Sequence, residues 1–117
     1  MFSSQLEATL EEKSTLPQFR IGQVVKHKRY GYRGVIVHRD LCCLADDSWY
    51  FSNATQPDRD QPWYQILVDE SVCTTYAAEE NLLPDNDPTP VRHPLVTKYF
   101  RGRRKGLYLR NNKPWQG

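Results

Sequence analysis

Lys26, Lys28, Arg29 and Arg33 crowd into eight positions, interleaved with Tyr30 and Tyr32 around Gly31 and Gly34. Ammonium and guanidinium groups neutralise phosphate, and a flat ring stacks on any base, so this mixture suits a polyanion carrying bases. Lys26, Lys28, Arg29, Arg33 and Arg39 are the expected phosphate contacts. Tyr30 or Tyr32 would stack on an exposed base or rest against a sugar. A second basic set, Arg103, Arg104, Lys105 and Arg110, is placed to clamp the same polymer from the C-terminal side. The plainer reading is that the tyrosines pack a turn and the lysines form one wet strand face, since Lys26 and Lys28 alternate with Val25 and His27.

Net charge is only +2, which alone argues against tight nucleic-acid binding, but the charges fall in blocks. Residues 1–39 hold seven Lys or Arg against three acids, and residues 40–87 hold eleven acids against Arg59. Residues 88–117 hold eight basic residues and no acid. The flanks should attract phosphate and the middle should repel it.

A second kind of chemistry lies in that middle block. Trp49, Tyr50, Phe51, Trp63 and Tyr64 form an aromatic group that, if partly exposed, would mark a protein partner site, with the acids facing a basic surface. If buried, Trp63 and Tyr64 are simply core. Catalysis is not expected. Asp69 and Glu70 sit in a turn, and His38, Arg39 and Asp40 near Cys42 lack an orienting group or an oxyanion donor. Nor is there a phosphate-cradling glycine loop. Cys42, Cys43 and Cys73 show no C-x-x-C spacing, and His27, His38 and His93 are not spaced to join them. Reduced thiols, no metal and no cofactor are therefore expected.

These side chains need elements to hold them. Val24, Val25, Val35, Ile36 and Val37 favour extended backbone, and Gly31 and Gly34 permit a reversal. Strands are predicted over residues 22–28 and 32–39. The irregular stretch 40–62 is rich in turn formers, and its Trp49–Phe51 run should fold back onto the body. Residues 63–68 and 72–77 form a hairpin about Asp69–Ser71. One helical turn at 78–83 leads to a short closing strand ended by Pro84. Residues 85–90 read as linker, Pro94 opens a short helix over 95–100, and order is expected to end at 101–106. Ser4 and Glu7 make a capping box for a short helix to about Lys13. Four or five short antiparallel strands around an aromatic core imply a mainly β fold, a small barrel or curled sheet.

The 117 residues suit one domain, and a 38 per cent hydrophobic content supplemented by three Trp, seven Tyr and four Phe allows a small core. No run approaches the roughly 18 apolar residues of a membrane span. The first residues lack the basic-then-apolar order of a secretory signal, so a cytoplasmic protein is expected.

The phrases Phe19-Arg20-Ile21-Gly22-Gln23-Val24-Val25-Lys26-His27 and Tyr30-Gly31-Tyr32-Arg33-Gly34-Val35-Ile36 resemble the hemimethylated-DNA-binding, or YccV-like, family. So do Gln61 to Val68 and Thr75 to Leu82. That family includes the bacterial heat-shock protein HspQ, and similar domains occur inside some eukaryotic F-box proteins. The resemblance covers about residues 19–100. It implies an SH3-like antiparallel barrel of about five strands with short flanking helices; the helix and linker before it (1–18) and the basic tail after it (101–117) are read from the residues and depart from the short bacterial members. It also implies a non-enzymatic module that binds DNA, with hemimethylated duplex as the family's described ligand, or an HspQ-like adaptor that modulates ATP-dependent proteases of the Lon or Clp type or the heat-shock response. Self-association is open on the same ground. In the first reading the contacts are the two basic sets with Tyr30 and Tyr32. In the second they are Trp49, Tyr50, Phe51 and Trp63.

Overall fold

A computed structural model describes residues 16–117; the capping box and helix expected before Lys13 lie outside the described residues. Among the described residues the fold is mainly β, with seven strands in two antiparallel sheets and two short helices. Strands β1 (Val24–His27), β2 (Arg33–Asp40), β3 (Trp63–Val68), β4 (Thr74–Ala78) and β5 (Leu82–Pro84) form one sheet in the order β4-β3-β2-β1-β5. Alternation divides β2 between two cores. Val35 and Val37 join Val24, Leu67, Val91, Tyr99, Phe100 and Tyr108, while Ile36 joins Phe19, Val25, Tyr64, Ile66, Ala77 and Leu82. A bulge between Ile36 and His38 shifts the β2–β3 register and bends the sheet.

The sheet curls without closing into the expected barrel. A 3-10 turn, Glu79–Asn81, carries the chain from β4 across to β1, where β5 pairs Leu82 with His27 and Pro84 with Val25. Buried Glu79 anchors this turn, accepting hydrogen bonds from the Tyr64 hydroxyl at 2.6 Å and the Gln18 N–H at 2.8 Å. β5 is three residues long and ends at Pro84, which has no N–H to donate. β4 and β5 are therefore left as the two edges of an open sheet.

The 40–62 stretch folds back as expected, through helix α1 (Asp47–Ser52). Asp46 caps it, its carboxylate accepting the Trp49 N–H at 2.8 Å. Tyr50, Trp63, Cys43 and Ala78 form a third small core, with Trp49 and Tyr76 packed against it.

Order does not end at 101–106. After helix α2 (Val96–Tyr99), strands β6 (Phe100–Arg104) and β7 (Leu107–Arg110) make a hairpin turned at Lys105 and Gly106, whose φ values are +52° and +79°. Tyr108 is buried against Phe100 at 5.6 Å between ring centroids, and its hydroxyl accepts the Val91 N–H at 2.8 Å. Trp115 packs on Tyr99. The hairpin docks just ahead of β1, where the Tyr108 N–H donates to the Gly22 carbonyl at 2.9 Å. Gly22 has a φ of +94°, and a Cβ there would collide with the Tyr108 carbonyl oxygen, so only glycine allows this approach.

Candidate nucleic-acid interface

A buried histidine shapes the turn between β1 and β2. His27 is 4% exposed, and its Nδ1 accepts the N–H groups of Arg29 and Tyr30, both at 3.1 Å. Its own carbonyl accepts the Gly31 N–H at 2.9 Å. Burial, reinforced by the Arg29 charge, lowers the His27 pKa, so the ring is neutral with its proton on Nε2. It stacks on Tyr30 at 4.7 Å and on Tyr32 at 5.1 Å between centroids. The turn thus holds Tyr30 outward, 57% exposed, with the Arg29 guanidinium 5.7 Å over its ring. Lys26, Lys28 and Arg29 are all exposed, and none forms an ion pair among the described residues.

Tyr32 is half-buried, and its hydroxyl accepts a hydrogen bond from Thr75 at 2.8 Å. Arg33 is placed differently from its expected role as a phosphate contact. Its side chain is 15% exposed and already engaged, donating to Asp69 at 2.8 Å, to Asp85 at 3.3 Å and to the carbonyls of Asp87 and Thr89. It fastens the 85–90 segment to the sheet. Arg110 is fastened likewise, donating to the Val37 and Tyr99 carbonyls while lying 4.9 Å from the Tyr99 ring. Arg39 is exposed at the far end of β2, about 20 Å from Arg33 at the usual strand rise.

Arg103, Arg104 and Lys105 are exposed on the second hairpin. Arg103 reaches back to the Pro88 carbonyl at 3.0 Å and lies over Tyr108. Arg103 and Lys105 line a shallow depression with Asp85 and Asp87, so acids lie among this second basic set.

The structure unites two groups that the sequence kept apart. Tyr30 and Tyr32 from the basic turn, and Trp49, Tyr50 and Trp63 from the aromatic block, all line one cleft of about 610 Å³. Tyr76 of β4 completes it, its ring 5.3 Å from Trp63 and 5.7 Å from Trp49. The Tyr76 hydroxyl donates to Asp40 at 2.6 Å and accepts the Leu44 N–H, which ties α1's approach to the sheet. Burial and the neighbouring Asp40 carboxylate raise the Tyr76 pKa, so the phenol stays neutral. Phe51 lies outside the cleft and is 62% exposed; Leu41 and Leu44, earlier on the same segment, are exposed too, Leu44 at the cleft lining. Sequence reasoning missed His27 and Tyr76, whose roles depend on partners that only folding supplies.

Among the described residues no cluster of His, Cys, Asp and Glu is arranged to hold a metal ion, and no helix is long and apolar enough to cross a membrane. The model of the YccV-like hemimethylated DNA-binding protein family matches residues 17–106. F-box only protein 21 of Mus musculus is 39% identical over 93 residues, and that of Homo sapiens is 37% identical over the same length. Each alignment covers 77% of this chain but 15% of the relative, so the chain spans a small part of the proteins it matches. The matched region takes in β1 to β6, the basic turn and every ring of the cleft: the chain belongs to the YccV-like hemimethylated DNA-binding family.

Proposed function

We propose that this chain is a non-enzymatic module that binds duplex DNA through the β1–β2 turn. The observation that carries this reading is the group of exposed cations Lys26, Lys28 and Arg29 around outward-held Tyr30. The turn's backbone is braced by His27, so binding need not order the loop that carries these charges. Arg103, Arg104 and Lys105 supply a second, weaker point of contact, with Arg39 at the periphery. The binding unit is residues 19–100 together with the β6–β7 hairpin. Family membership supports DNA as the polymer.

The test is a salt-titrated affinity measurement on hemimethylated, fully methylated and unmodified duplexes of one length. Each phosphate contact contributes a slope of about −0.9 in log K against log salt. Three contacts from the turn contribute about −2.7 to that slope, and the double variant Lys28→Ala, Arg29→Ala should make it shallower by about 1.8. A flat response, or a variant with the parent's slope, refutes the reading. Hemimethylation preference appears as a tighter affinity for that duplex at equal slope.

A second reading is favoured by exposed Phe51 on α1, with exposed Leu41 and Leu44 on the segment before it, apolar side chains suited to a protein partner. An HspQ-like adaptor would use them, with Trp49 and Tyr50 behind them, to engage an ATP-dependent protease or a second copy of the chain. Co-precipitation with such a protease, abolished by Phe51→Ser while DNA affinity is kept, would favour this reading.

A further inference from the structure

We infer that the aromatic cleft receives a single unstacked DNA base, while the backbone phosphates stay outside on Lys28 and Arg29. This rests on the DNA reading above and assigns a role to the cavity beside it. The cleft has two ring groups, His27 with Tyr30 and Tyr32, and Trp49 with Trp63 and Tyr76. Its volume of about 610 Å³ lies in the range of small-ligand sites. No lysine or arginine lines it, so it is not a channel for phosphate. Its one charged group, Asp40, is already bonded to Tyr76 and His38.

Polar groups suited to a base edge remain. His27 lines the cleft at 4% exposure; because Nδ1 accepts both turn N–H groups its proton sits on Nε2, and among the described residues nothing accepts from that N–H. The side-chain amides of Gln65 and Asn81 also line the cleft without a partner among the described residues. A donor and two amides amid stacking rings match the needs of an extruded base, whose edge is read by hydrogen bonds and whose faces are covered by aromatics. Tyr30 connects the two regions, lying under Arg29 and at the cleft lining. A base inside therefore lies close to phosphates held at the turn.

The test compares two duplexes of equal length, one fully paired and one carrying a single extra, unpaired adenine replaced by fluorescent 2-aminopurine. Extrusion from a paired stack costs a few kcal/mol, and the unpaired base is spared most of it. The bulged duplex should bind at least tenfold tighter, with 2-aminopurine emission quenched by the rings. Trp49→Leu, checked for folding by its thermal melt, should cut the preference below threefold and relieve the quenching. Its affinity for the paired duplex and its salt slope should remain. Gln65→Leu, which removes an amide without touching the rings, should lower the preference and keep the quenching. Equal affinity for both duplexes, or a preference unchanged in Trp49→Leu, overturns the inference while leaving the DNA reading standing. Absence of salt-dependent binding to either duplex overturns the DNA reading itself.

Discussion

Replacing Arg33 with methionine should destabilise the fold strongly and do so in a pH-dependent way. The guanidinium makes two bonds to carboxylates, Asp69 at 2.8 Å and Asp85 at 3.3 Å, and the three side chains are 15%, 12% and 14% exposed. Removing one partner of a buried pair costs about 3–5 kcal/mol. One rim of this group is wet, so about 3 kcal/mol is expected at pH 7, or about 12 °C in Tm at roughly 4 °C per kcal/mol for this size. Burial alone would raise the Asp69 pKa, but the Arg92 N–H and the Arg33 guanidinium outweigh it and hold the carboxyl below its ordinary 3.8. That stability is present above pH 4 in the parent and is lost as pH falls through the folded value. In Arg33→Met the carboxyl keeps its burial and loses its cation, so its pKa rises and protonation favours the folded state. Urea melts at pH 7 and pH 3 should therefore show the gap between parent and variant shrinking. A gap below 1 kcal/mol at pH 7, or one equal at both pH values, refutes the reasoning.

Gly22→Ala forces a left-handed φ and a clash with the Tyr108 carbonyl; a loss of about 3 kcal/mol or more, with proteolytic release of the C-terminal hairpin, is expected. Tyr108→Phe leaves the Val91 N–H without its acceptor and should cost about 1–3 kcal/mol in a denaturant melt. His27 should titrate below 6.5 by NMR, and Arg29→Gln should raise its midpoint. Because the folded pKa is the lowered one, His27 subtracts stability as pH falls from about 6.5 through the folded value.

Local chemistry made β1 to β4 legible, since branched residues and flanking turn formers set those strands with little help from elsewhere. The helix after Pro94 was readable for the same reason. Asp46, three residues before Trp49, was a legible cap, but among so many turn formers it read as loop. Hairpin β6–β7 was hidden by its own cations: Arg101 to Lys105 dominate the composition, while the order comes from Phe100 and Tyr108 reaching the core. The choice between barrel and curled sheet was not legible, because the path from β4 to β5 runs through Glu79, whose partners Tyr64 and Gln18 are distant in sequence. For the site, the exposed cations of the turn were visible in sequence. The engagement of Arg33 was not, because its acids lie on distant β3 and β5 ends. Nor was the meeting of Tyr30 with Trp49, which depends on α1 folding over β4.

Contact between Gly22 and Tyr108 joins nearly opposite ends of the described chain. Loops that long are entropically slow to close, and topologies dominated by such contacts fold late. During synthesis the first five strands must wait, with Val24, Val35 and Val37 uncovered, until the last hairpin emerges. A fragment cut at residue 106, where the family match stops, would keep β6 and discard β7. Such a fragment would carry every cleft residue yet expose one core face, and would be expected to aggregate before it could be assayed.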